Sequence, residues 1–340
     1  MRILTAQDIV ALARRLGIRP LLRQVTDTLA EDFGRCTHLP GPVPCLLPTP
    51  SGEIALRPWS DGHYFGFKYE AHQPAGVGAG RPNRRSLGVL GLVETGEPLL
   101  LADMTLLTAL RTAATAALGA RLLARPDSRT LAVLGTGAQS EFLVLALLEQ
   151  LPLREVRYFD PDLHAMMKFA RNIEDAVCCL EPCGNVAETL QRADVVVAAT
   201  SAPQKLRLLE GGLVPAGAHV HALADGELAQ AGLDPALLAR SRLAVDARRS
   251  GDAAEAGLQQ LLRGDVSLRE APDDLTLLVS TGVGLQDFSA LRTVHALADS
   301  LGIGDALGLL AQPEDPKDLY RMLTRESPRG TVSALRQADG

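Results

Sequence analysis

No lysine- or arginine-rich run stands out in this chain, and its formal net charge is −6 with an isoelectric point near 5.7. A nucleic-acid partner needs a basic face, so none is expected. No apolar run reaches the roughly 20 residues that a membrane span requires, so no membrane partner is expected either. The N-terminus, MRILTAQDIVALARRLG, does not read as a signal peptide. Asp8 and Arg14–Arg15 sit within its apolar pattern and make it an amphipathic helix. Cysteines number five, an odd count that argues against a disulfide framework in so long a chain. Cys178, Cys179 and Cys183 cluster without a nearby histidine, which is a poor zinc set, so no metal is expected. They read as reduced thiols of a cytoplasmic protein. No internal repeat or low-complexity tract is present.

At 340 residues the chain has room for two domains with substantial cores. Its organising stretch is Leu131–Ser140, LAVLGTGAQS. Residues 129–134 form a short apolar strand, Gly135 and Gly137 interrupt it, and AQSEFLVLALLEQL continues as a helix. Strand, glycine turn and helix are the context a dinucleotide fingerprint requires. Gly135 permits the tight turn, and Gly137 lets backbone N–H groups approach a pyrophosphate. The helix N-terminus adds free donors and a positive dipole end. Ser140 takes the third glycine position and is small enough for close packing. A second strand, EVRYFD, ends at Asp160, where the carboxylate that binds the ribose hydroxyls belongs. Asp160 is followed by Pro161 and Asp162, with no arginine, so NAD is the expected cofactor in preference to NADP.

Further strand–helix alternation follows, through ADVVVAAT ending at Thr200 and Ser201, GAHVHALAD with His221 and Asp225, RLAVDA, and LTLLVST. This pattern implies a parallel, doubly wound Rossmann-type sheet. Thr200 and Ser201 stand at a strand's carboxyl end, where hydroxyls meet a cofactor or substrate. His221, in an apolar strand, reads as structural more readily than catalytic. The run from Gly282 opens a long helix expected to close this half, and the EDPKDLYRMLTRE tail reads as a polar helix returning to the first domain.

The region before the fingerprint differs. Two helical stretches occupy residues 6–34, separated by Gly17–Pro20, and residues 36–50 are proline-rich and expected to be irregular. GEIALRP, YFGFKYEA, SLGVLGLVE and PLLLAD then read as strands of an antiparallel sheet. Their apolar residues exceed what one small sheet covers, which points to a homodimer. The joining segment, MTLLTALRTAATAALGARLLARP, is apolar or small on every face and therefore a buried helix. Arg111 lies inside it. A buried guanidinium keeps its proton and needs an anion, either a protein carboxylate or a substrate carboxylate held bidentately.

FKYEAHQP around Lys68, TALRTAAT around Arg111, LGTGAQSEF at the glycine turn, and the STGVGLQDF and DPKDL stretches resemble the ornithine cyclodeaminase/mu-crystallin family across nearly the whole chain. The resemblance implies an NAD-binding Rossmann domain over 114–304. It implies a substrate and dimerisation domain over 1–113, completed by 305–340. It also implies enzymes that use NAD(P) to interconvert amine and imine at the α-carbon of amino acids, with cyclodeaminases closing a ring and losing ammonia. By the same resemblance Lys68 and Arg111 hold a substrate carboxylate, with Lys68 also counted as catalytic. Thr112, Gly135, Thr136, Gly137, Ala138, Gln139, Ser140, Asp160, Thr200 and Ser201 line the cofactor.

The chain also departs from the pattern. No arginine lies between 36 and 56 where the family places another, so Arg57 is the candidate substitute, and a family threonine is replaced near Asn83. The cyclodeaminase loop reads ALADGELAQAGLD here. Asp225 comes about one position early, and the lysine and glutamate are missing. That weakens ornithine cyclisation more than redox chemistry, leaving Asp225 as a candidate general base or as a turn-closing residue before Gly226. Three readings follow: an NAD-dependent amino-acid or imine oxidoreductase, a cyclodeaminase that recycles its NAD internally, and a non-catalytic binding protein like mu-crystallin.

Overall fold

The computed structural model describes residues 1–36, 41–73, 83–199, 209–224, 233–248 and 252–324. Strand β1 (Arg2–Leu4) leads into helix α1 (Ala6–Leu16) through a reciprocal cap. Thr5 Oγ1 accepts from the Asp8 N–H, and Asp8 Oδ2 accepts from the Thr5 N–H at 2.8 Å. Gly17 at φ +86° turns the chain directly into α2 (Ile18–Arg35). The expected break through Pro20 is therefore shorter. Pro20 falls in the first turn of α2, where its missing N–H costs nothing.

Strands β2 (Cys45–Thr49), β3 (Gly52–Ser60), β4 (Tyr64–His72), β5 (Arg84–Leu92) and β6 (Pro98–Asp103) form an antiparallel run. β1 adds to β6 in parallel, and β15 (Asp305–Ala306) adds to β1. Of the described residues in the EDPKDLYRMLTRE stretch expected to be one polar helix, only Arg321–Thr324 is helical, and it is exposed. β2 lies in the stretch expected to be irregular. It is an edge strand paired with β3 alone, where Pro48 is tolerated because one side of the strand needs no ladder donor.

Helix α3 (Thr105–Leu123) joins the two sheets and is the buried helix that the sequence implied. It is long and apolar enough to cross a membrane by composition, but most of it is buried inside the protein. Then come β7 (Thr130–Leu134), α4 (Ser140–Leu148), β8 (Glu155–Phe159), α5 (Leu163–Ile173), β9 (Cys179–Pro182), β10 (Val195–Ala198), β11 (His219–Leu223), β12 (Ser241–Val245), β13 (Ala256–Gly257) and β14 (Leu275–Ser280). These strands form one parallel sheet in the order β13-β12-β14-β11-β10-β7-β8-β9. Strand order reverses between β7 and β10, which opens a crevice at their carboxyl ends. β9 and β13 extend the edges beyond the strands read from sequence. The long helix Gly284–Leu301, expected to close the nucleotide half, packs instead on α2, α3 and β3–β5. One apolar core consequently runs from α2 through α3 and α4 to one face of the parallel sheet, and a second core fills its other face.

Candidate active site

The glycine turn has the geometry a pyrophosphate needs. Gly135 adopts φ +93°, a conformation that side chains resist, and its N–H is taken by the Phe159 carbonyl. A side chain at Gly137 would meet only open space. Among the described residues, the N–H groups of Gly137, Ala138 and Gln139 find no protein acceptor, and all three precede the first residue of α4. Free donors at a helix start fit a dinucleotide phosphate. Ser140 is fully buried and donates to the Gly137 carbonyl at 2.7 Å, so the small residue closes the turn as a third glycine would.

Asp160 stands just past β8 and faces this turn. Its carboxylate accepts from the Thr136 N–H at 2.7 Å and from the Asp162 N–H at 2.9 Å. Sequence reading missed Lys168 on α5. Its ammonium donates to the Thr136 carbonyl at 2.9 Å, the Gly137 carbonyl at 3.1 Å and Glu141 at 2.7 Å. A lysine two turns beyond an Asx-capped helix start carries no local signal, since its partners lie on another βα unit.

The second cluster lies where the first sheet meets the carboxyl ends of β12 and β14. Alternation along β4 points Lys68 and Glu70 to the same inner face, and both are buried. Lys68 Nζ is 2.5 Å from Glu70 and 3.7 Å from Asp287; neither contact is aligned as a directed hydrogen bond. Arg84 meets the other Glu70 oxygen at 2.7 Å. Burial alone would raise the Glu70 carboxyl, but the Lys68, Arg84 and Arg111 cations overcome it and bring it down to about 2.

Arg111 donates from Nε to Asp287 at 3.1 Å and from Nη1 to the Gln286 side-chain oxygen at 2.9 Å. The protein carboxylate anticipated as one reading of this arginine is thus present. Among the described residues Nη2 meets no acceptor, and the side chain retains 12% exposure. Arg57, from β3, reaches the Gly282 carbonyl at 3.4 Å. Lys68, Arg84 and Arg111 therefore gather around Glu70 and Asp287, and Arg57 reaches the neighbouring Gly282 turn.

Other expected residues fall differently. Thr112 is buried on α3 beside Arg111, and Asn83 is exposed at the start of β5, where its carbonyl accepts from the Gln73 N–H. His221 is wholly buried, burial lowers its pKa to about 3, and neither ring nitrogen has a partner among the described residues. It is a core residue. Asp225, Thr200 and Ser201 lie outside the described residues. Glu70, Gln286 and Asp287 were missed, although a buried lysine and arginine had signalled that carboxylates must sit nearby.

A glycine turn at a sheet's switch point, beside a cluster of paired cations under a second sheet, defines a dinucleotide-dependent enzyme. Residues 6–301 match the ornithine cyclodeaminase/mu-crystallin family, and the chain belongs to it. It is 35% identical to the ornithine cyclodeaminase of Agrobacterium tumefaciens (strain Ach5) over 333 residues, which cover 95% of this chain and 94% of that protein. Among solved structures, a lysine cyclodeaminase that recognises L-lysine, L-ornithine and L-2,4-diaminobutyric acid superposes with a TM-score of 0.84 at 27% identity, covering 94% of this chain and 98% of the other. An archaeal alanine dehydrogenase dimer with bound NAD gives a TM-score of 0.80 at 25% identity, covering 91% and 99%.

Proposed function

We propose that this enzyme uses NAD to interconvert amine and imine at the α-carbon of a small amino acid, whose carboxylate is held by Arg111, Lys68 and Arg57. The observation that carries this reading is Arg111, whose Nη2 meets no acceptor among the described residues, beside the buried Lys68 at the carboxyl edge of the parallel sheet, on the same edge as the glycine turn. NAD supplies the hydride acceptor or donor when bound. Gly137, Ala138 and Gln139 would hold its pyrophosphate, and Asp160 its ribose hydroxyls. Arg111 offers Nη2 to the substrate carboxylate while Asp287 and Gln286 fix the rest of its plane. Lys68, pinned between Glu70 and Asp287, adds a point charge. Holding the α-carbon in one place is the protein's main service, and such placement supplies on the order of 7 kcal/mol at best. Asp225 is the proposed base.

Redox-neutral cyclodeamination is the second reading, favoured by the 35%-identical ornithine cyclodeaminase. It shares the first step and adds ring closure with loss of ammonia. One assay separates the two: the proteinogenic amino acids and L-ornithine, with NADH absorbance and ammonia recorded together. Net NADH change supports the oxidoreductase, and ammonia without it supports the cyclodeaminase. Neither signal from any amino acid overturns both.

The working unit in this proposal is a homodimer in the cytoplasm. Leu56, Tyr69 and Leu87 stand in register across β3, β4 and β5, and both leucines are exposed, as is Leu47 on the same face of the edge strand. That apolar face suits a second copy, and the free cysteines suit a reducing compartment.

A further inference from the structure

Asp246 directly follows β12 and is completely buried. Among the described residues no cation pairs with it. Neutral donors alone hold its charge. Oδ2 accepts from the Thr281 N–H at 2.9 Å, the Gly282 N–H at 2.8 Å and the Gln286 side-chain amide at 3.1 Å. Oδ1 accepts from the Thr281 hydroxyl at 2.8 Å and from the Ala247 N–H at 3.0 Å. Burying a carboxylate this way is costly unless every lone pair is met, so what it fixes matters.

It fixes the turn between β14 and the helix Gly284–Leu301, and both candidate carboxylate-binding arginines rest on that turn. The Gly282 carbonyl accepts from Arg57. Gln286 has its amide N–H committed to Asp246, so its oxygen is obliged to face Arg111. Gly282, at φ +80°, passes close beneath the guanidinium, and a Cβ there would stand 3.6 Å from both Arg111 Nη atoms. We infer that Asp246 is a positioning residue. By holding the Thr281–Gln286 turn, it orients Arg57 and Arg111 for the substrate carboxylate.

This inference rests on the reading that those arginines bind the carboxylate, and the test keeps the two apart. The variants are Asp246→Ala, Asp246→Asn, Gln286→Met and Arg111→Met, assayed with the amino acid of highest wild-type kcat/KM in the screen above. Asp246→Ala and Gln286→Met should each raise KM about tenfold, with a smaller change in kcat and NADH affinity held within about threefold. Asp246→Asn should recover part of the loss, because its amide oxygen can replace Oδ2 and its NH2 can donate to the Thr281 hydroxyl, although the Ala247 N–H then loses its acceptor. A purely structural role would lower thermal stability without this KM selectivity or this rescue. If Asp246→Ala does not fold, Gln286→Met carries the test, since it leaves the backbone contacts of Asp246 in place. Unchanged KM in these variants while Arg111→Met raises it overturns the positioning role alone. Unchanged KM in Arg111→Met overturns the carboxylate reading itself.

Discussion

Arg111 pairs with Asp287 in this structure and is proposed to hold the substrate carboxylate, and one substitution separates the two roles. Replacing it with methionine keeps much of the length and suits an apolar helix, so packing changes little. The cost is electrostatic. Asp287 is 2% exposed, its Oδ2 has no partner among the described residues, and Lys68 at 3.7 Å is the cation that remains. Removing one member of a buried pair costs about 3–5 kcal/mol. With Lys68 still present, the expected loss is about 3 kcal/mol, or roughly 4 °C in melting temperature for a chain of this length. Asp287→Asn added to Arg111→Met removes the stranded charge and should recover most of that stability. Activity should not follow. Losing a charge-assisted bond to the substrate carboxylate is worth about 1.5–3 kcal/mol, so kcat/KM should stay about 10- to 100-fold down in the double variant. Calorimetric melting and steady-state kinetics on the same preparations read both terms. A double variant restored in stability and also in kcat/KM would refute the substrate role, leaving Arg111 as the partner of Asp287 and nothing more.

NAD should bind more tightly than NADP, because Asp160 beside the turn repels a 2′-phosphate and Lys168 is already committed to two carbonyls and Glu141; equal affinities by calorimetry would dismiss this. Lys168→Met should weaken NADH binding about tenfold by loosening the Thr136–Gly137 turn, a cost near 1.4 kcal/mol, with unchanged affinity counting against that role. Sedimentation at micromolar concentration should show a dimer, and Leu56→Arg with Leu87→Arg should convert it to monomer. His221, whose folded pKa near 3 lies below its ordinary 6.5, is buried neutral. Its contribution is intact above pH 6.5 and is lost as pH falls from 6.5 toward 3, up to about 5 kcal/mol. His221→Leu should therefore shift the acid-unfolding midpoint to lower pH.

Much of the fold was legible because its signals are local. The 129–140 stretch announces strand, turn and helix by composition and glycine position, and α3 announces burial by having no polar face. β2 was not legible, because four prolines from 40 to 48 outweigh a short apolar run until β3 is there to pair with it. β9 and β13 are short edge strands, and strands of that length depend on partners remote in sequence. The helix Gly284–Leu301 was read into the wrong layer. Its composition reports a helix buried on most sides at its start but cannot say which sheet it packs against.

The candidate site shows the same division in its chemistry. Arg111 stood out because a charge in an apolar stretch is conspicuous, and Lys68 stood out by family resemblance alone. Their partners did not, because Glu70 looks like the polar half of a strand alternation and Asp287 like an acid in a helix's first turn. Topology makes them one cluster: β4 contributes Lys68 and Glu70, α3 contributes Arg111, and the turn after β14 brings Gln286 and Asp287 between them. A cation set that arrives already paired and buried need not reorganise when a carboxylate enters, which is the condition under which fixed charges help most. The pairing also limits how far each cation can move, so in the proposed reading substrate choice would fall to the other residues around this pair. That is consistent with one architecture serving an alanine dehydrogenase and a lysine cyclodeaminase.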